Sequence, residues 1–126
     1  MRYRLGMPEA KRPDAFLPLP HDALFILLAL ASQPLHGYGI IRDVEARSDG
    51  EMLLQTGALY RMLRRLLRDE VIEPCEAPDD EPVDPRRRYY RLTRRGRAVL
   101  DAEVERMSRV VRAARLIEAG KKPRLS

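Results

Sequence analysis

Every residue from Ala23 to Ala31 is apolar, so a helix over this run has no polar face and must be covered on every side. Pro20 and Asp22 supply its start, and Ser32-Gln33-Pro34 ends it. After His36-Gly37-Tyr38-Gly39, the stripe Ile40, Ile41 and Val44 predicts a second, short helix that closes near Ser48-Asp49-Gly50. A third helix follows. Thr56 offers an N-cap oxygen, and Ala58, Leu59, Met62, Leu63, Leu66 and Leu67 recur at spacings of three and four. Beyond Asp69-Glu70 the pattern changes to Val71–Glu76, a proline-rich acidic stretch Ala77–Pro85, and Arg86–Leu92, which reads as two strands and a loop. Pro74 confines the first strand to a sheet edge. Alternation puts Tyr90 and Leu92 on one face and Arg87, Tyr89 and Arg91 on the other. Thr93 caps a long last helix, in which Leu100, Val104, Met107, Val111 and Ala114 follow the four-three spacing of a coiled-coil seam, widened by Val99, Val110 and Ile117.

These elements predict a mainly α fold with a small two-stranded antiparallel wing: a winged helix-turn-helix followed by a long C-terminal dimerisation helix. Two heptads are too few for a free zipper, and the first helix is apolar nearly all round. Leu24, Phe25 and Leu28 are therefore expected to meet Leu100, Val104, Met107, Val111 and Ala114 across a subunit contact. The expected division is a flexible N-terminal arm over 1–19, the winged helix-turn-helix domain over 20–93, the dimerisation helix over 94–119 and a frayed tail over 120–126. The arm is inferred from Pro8, Pro13 and Pro18 among mixed charges.

Composition narrows the function. One cysteine, Cys75, excludes an internal disulfide and any multi-cysteine metal site, and suits a reducing compartment. Neighbouring carboxylates disfavour its thiolate. With two histidines, no Gly-rich phosphate loop and no recognisable Ser-His-Asp set, neither a metal site, nor a cofactor site, nor an enzyme is expected. The apolar run Ala23–Ala31 imitates a signal peptide, but Pro18, Pro20, His21 and Asp22 precede it and it is too short to span a bilayer. The expected location is the cytoplasm, in association with the nucleoid.

Charge then changes the picture. Lys plus Arg number 24 against 19 Asp plus Glu, a modest excess whose placement matters more than its size. Arg61, Arg64, Arg65 and Arg68 fall between the apolar positions of the third helix and so project from the core, a surface suited to a major groove. Gln55, Thr56, Gly57 and Tyr60 stand at the leading end, where helix-turn-helix proteins meet bases. The bland alternative is a solvated amphipathic helix. Arg86-Arg87-Arg88 sits beyond the turn, as expected of a wing that reaches phosphate, although Asp79, Asp80, Glu81 and Asp84 can instead pair with it.

Three blocks, Leu35-His36-Gly37-Tyr38-Gly39-Ile40, then Thr56-Gly57-Ala58-Leu59-Tyr60 with Leu63 and Leu66, then Arg88-Tyr89-Tyr90-Arg91-Leu92-Thr93 with Gly96, resemble the PadR family of bacterial transcriptional regulators in order and spacing. The resemblance runs over residues 22 to 116 and is similar to the shorter subfamily with a single helix after the wing. It implies a dimeric repressor whose third helix enters the major groove, with Tyr38 among the DNA-contacting residues, and whose last helix carries much of the dimer contact. Arg61 stands where many members carry proline. The absence of tryptophan removes the indole-stacking drug site of some relatives. Any small hydrophobic effector would be lined by Phe25, Leu28, Met107 and Val111. The expected partners are thus a double-stranded DNA operator, a second copy of the chain and such an effector. A protein-interaction module with a basic face, or a small-molecule sensor whose DNA contact is secondary, are the rival readings.

Overall fold

The computed structural model describes residues 12–120 except Val83. Its elements are a 3-10 turn, Pro13–Phe16, then α1 (His21–Ser32), β1 (Leu35–His36), α2 (Gly37–Arg47), α3 (Thr56–Arg68), β2 (Ile72–Cys75), β3 (Tyr89–Leu92) and α4 (Arg94–Glu118). α1 is the hub. Ala23, Ile26, Leu27, Ala29 and Leu30 are buried on it, and it packs on α2, β3 and α4, so the helix without a polar face finds its cover largely within one chain. Ile40 and Val44 of α2, Leu59, Leu63 and Leu66 of α3, and Val99 and Leu100 of α4 complete the core. Leu24 and Leu100, expected at a subunit contact, are thereby already buried within the chain.

The sheet has three antiparallel strands rather than two, in the order β1-β3-β2. Leu35 pairs with Tyr90 and His36 with Tyr89 along one side of β3, while Ile72 pairs with Leu92 and Cys75 with Tyr89 along the other. β1 has only two residues, too few for alternation to register in sequence. Pro74 lies on the edge strand β2, where its missing N–H costs no ladder bond. Tyr89 shares a face with Arg87 and Arg91, both exposed, yet is itself buried. It is only 4% exposed, its ring edge-on to His36 at 5.2 Å between centroids. Burial on this second face of β3 is something strand alternation alone cannot foresee.

Two further differences concern helix ends. Gln55 rather than Thr56 is the N-cap of α3, and no side chain caps that end. Thr93 does cap α4: its Oγ1 accepts from the Gly96 N–H at 3.0 Å and donates to the Glu70 carbonyl at 2.7 Å. Gly96 has no alternative, since a Cβ there would overlap the Val71 carbonyl oxygen.

Residues 13–19 do not behave as an arm. Phe16, Leu17 and Leu19 pack on the core, and the Leu19 N–H donates to Glu103 Oε2 at 3.0 Å. The proline spacing of this segment suppresses helix periodicity without making it polar. The remainder of the expected arm, 1–11, and the tail 121–126 lie outside the described residues. Among the described residues, no helix is long and apolar enough to cross a membrane.

Candidate nucleic-acid interface

The amphipathic pattern of α3 turns directly into geometry. Leu59, Leu63 and Leu66 are buried, and Arg61, Arg64, Arg65 and Arg68 are exposed with no ion pair to any described residue. Gln55, Thr56, Gly57 and Tyr60 are exposed at the leading end. Because no side chain caps that end, its first-turn N–H groups face outward, a favourable setting for an anion.

α2 and α3 meet at Gly37, where a Cβ would come within 2.6 Å of the Tyr60 hydroxyl oxygen. This close crossing needs glycine or a displaced tyrosine, and it sets the first turn of α3 beside the start of α2. Tyr38, next in sequence, is 60% exposed. Its ring lies parallel to that of His36 at 6.4 Å, and the Arg42 guanidinium sits 5.7 Å from its centroid.

His36 lies between the wing and this pair of helices. Its Nδ1 accepts the Gly39 N–H at 3.1 Å, capping α2, and its Nε2 lies 3.3 Å from Arg87 Nη1. Burial first, and then the Arg87 charge, hold the His36 pKa below its ordinary value, against a smaller opposing pull from Glu81. Along the sequence His36 only precedes the second helix. The Arg87 contact spans 51 positions and leaves no local signal.

The three wing arginines are not equivalent. Arg86 Nε lies 3.3 Å from Asp84 Oδ1, and Arg87 Nε lies 3.9 Å from Asp84 Oδ2. Arg88 is exposed and forms no ion pair among the described residues. The Asp84 carboxyl is held below the usual range by the Arg86 backbone N–H and then by the Arg86 side chain. Mutual pairing of the wing charges is therefore realised at Arg86 and Arg87 but not at Arg88. Sequence reasoning also passed over Leu53, which is 68% exposed just before α3. A lone apolar residue in a turn gives no pattern to detect.

The other surface is apolar. Val104, Met107 and Val111 are exposed on α4, and with Leu24, Phe25 and Leu28 of α1 they line a groove of about 600 Å³. Residues 109–120, including Ala114, are all exposed, so the second half of α4 extends past the core.

A helix-turn-helix followed by a sheet whose loop carries arginines defines a winged-helix protein. The model of the transcriptional regulator PadR-like family matches residues 26–102, from α1 through the wing into α4, and the chain belongs to that family. A 37.1 kDa protein in transposon TN4556 of Streptomyces fradiae is 36% identical over 87 residues, covering 69% of this chain but 23% of that protein. The chain thus spans less than a quarter of that relative. The protein named X of Lysinibacillus sphaericus is 29% identical over 90 residues, 71% of this chain and 81% of its own length. Among solved structures, a PadR family transcription regulator from Clostridium difficile R20291 superposes with a TM-score of 0.62 at 20% identity, covering 78% of this chain and 98% of that one. RosR of H. salinarum gives 0.60 at 22% identity, covering 83% and 96%. At these identities the two structures speak for the fold.

Proposed function

We propose that this transcriptional regulator is a sequence-specific repressor that binds double-stranded DNA as a homodimer, in the cytoplasm and associated with the nucleoid. The observation that carries the reading is the row Arg61, Arg64, Arg65 and Arg68. Arg47, Arg86, Arg91, Arg95 and Arg106 all have carboxylate partners. A row of exposed guanidiniums with no carboxylate partner among the described residues suits an external polyanion.

Arg65, Arg68 and the wing arginines, Arg88 foremost, take phosphates. Gln55, Thr56, Tyr60, Arg61 and Arg64 read base edges, while Tyr38 and Gly57 border them. The groove between α1 and α4 supports a second subunit, because exposed Val104, Met107 and Val111 need cover and α4 is too short for a free zipper. A two-fold pair would present its α3 helices to successive major grooves about 34 Å apart. A small hydrophobic effector lodged in that groove would alter the spacing only by binding one dimer geometry better than another.

The test is an anisotropy titration of labelled duplex from upstream of the chain's own gene, across a range of salt, beside unrelated duplex of equal length. Two chains per site, a steep loss of affinity with salt and a clear preference for the upstream duplex are expected. Arg64→Ala should cost about 1–3 kcal/mol and relax preference at one base pair. Equal binding to both duplexes, or titrations unmoved by substitution of the arginine row, would reject the reading. A promoter–reporter fusion distinguishes repression from activation.

A further inference from the structure

Beneath residues 13–20 lies a second cavity, of whose lining the DNA-binding reading uses only Arg65. Its wall is built. The segment lies across α4, fixed by the bond from the Leu19 N–H to Glu103 Oε2. Glu103 is 1% exposed and is held in turn by Arg106 Nε at 2.6 Å and Nη2 at 3.2 Å. Phe16 and Leu19 of this strap face Ala23 and Leu27 of α1 and Met62 and Leu66 of α3 around a space of about 260 Å³. Ala23, Leu27 and Leu66 are buried core residues, so this part of the wall is apolar.

Two charged residues interrupt an otherwise apolar lining. Arg65 and Asp69 both line the cavity, one helical turn apart. Neither side chain forms an ion pair with the other or with any other described residue. The cavity therefore offers an apolar surface beside one cationic and one anionic side chain, neither of them hydrogen-bonded to another described residue. A zwitterion with an apolar body matches all three. The space is far larger than a single water requires and admits a small organic molecule such as an aliphatic α-amino acid.

We propose that this cavity is a binding site for apolar α-amino acids. The carboxylate meets the Arg65 guanidinium, the ammonium meets the Asp69 carboxylate, and the side chain rests among Phe16, Ala23, Leu27 and Met62. Arg65 also stands in the row assigned to DNA phosphates, so occupancy would compete with DNA for it. That consequence rests on the proposed function, whereas the site itself does not.

The test uses the full chain without DNA. L-leucine is titrated calorimetrically and by amide NMR, beside N-acetyl-leucine, which lacks the ammonium, and leucinamide, which lacks the carboxylate. The expected result is saturable binding of one leucine per chain, with shifts gathered at Ala15, Ala23, Met62 and Leu66. Each analogue, and each of the surface variants Arg65→Gln and Asp69→Asn, should lose affinity about tenfold or more, one charge-assisted hydrogen bond apiece. Binding that does not saturate, equal affinity for all three compounds, or shifts confined to the α1–α4 groove would overturn the site. Indifference of both variants to leucine would do so as well.

Discussion

His36 Nε2 lies 3.3 Å from Nη1 of Arg87, while the opposite ring nitrogen accepts the Gly39 N–H. A neutral imidazole has one accepting and one donating nitrogen. With Nδ1 accepting, a proton added to the ring would remove the cap of α2 and place a second positive charge against the wing.

A pH dependence follows. Burial and Arg87 depress the His36 pKa, so the folded chain binds fewer protons there than the unfolded chain does. Its contribution to stability is complete above the ordinary histidine value and is lost as the pH falls through the depressed one. Thermal melting over this range should weaken toward acid, and His36→Asn, which keeps a capping side chain, should weaken less. An equal pH slope in the variant would exclude His36 as the source.

Glu103 governs a second, more acidic window. Its carboxyl sits below the usual range chiefly because Arg106 donates to it, with the Leu19 N–H helping and burial opposing. Stability from this group is therefore present above the ordinary carboxylate range and is lost as protonation proceeds through the depressed value. Glu103→Ala leaves the Leu19 N–H without its acceptor and should cost about 2 kcal/mol in urea unfolding. Loss of protection at the Leu19 amide in hydrogen exchange would locate the effect.

Gly96→Ala should be the more damaging change, although it adds one methyl group. The new carbon would overlap the Val71 carbonyl, and backbone yields less readily than a side chain. A cost at or above the usual overpacking range of about 1–3 kcal/mol is expected, read from the urea midpoint. Gly37→Ala meets the flexible end of Tyr60 instead, and should disturb stability less while shifting the Tyr60 ring resonances.

The arginine row makes a graded prediction. Arg68→Ala should weaken binding to every duplex alike and lower the salt slope by about one unit, as loss of a phosphate contact does. Arg86→Ala should matter less than Arg88→Ala, because Asp84 already engages Arg86. The reverse order would show that Asp84 releases Arg86 to DNA.

Assembly is tested on the opposite side of the molecule. Val104→Glu together with Val111→Glu places charges on the exposed face of α4 without touching Val99 or Leu100. Sedimentation should then change from dimer to monomer while the far-ultraviolet circular dichroism keeps its helical form. A dimer that survives both charges would place the subunit contact elsewhere.

Much of the site could be read along the chain because it is written in local periods. The leucines of α3 recur at helical spacing, so the arginines between them had to face outward, and they do. Thr93 before Arg94 and Pro74 on an edge strand are likewise local signals. What escaped was two residues long or depended on distant partners. Leu35–His36 became a strand only because β3 arrived beside it, and Tyr89 is buried with its ring against His36 of that strand. Phe16, Leu17 and Leu19 looked like part of an arm until α1 and α4 supplied something to pack on.

The amino-acid order by itself determined the helices, their capping at Thr93, the outward row of arginines and the apolar stripe of α4, since each depends on neighbours within a turn or two. Tertiary structure alone decided that Arg87 meets His36, that Glu103 grips the backbone at Leu19, and that Asp84 occupies some of the wing arginines but not all. Those are meetings between charges and polar groups from different elements, and their strength depends on distance and burial that only the packed chain fixes.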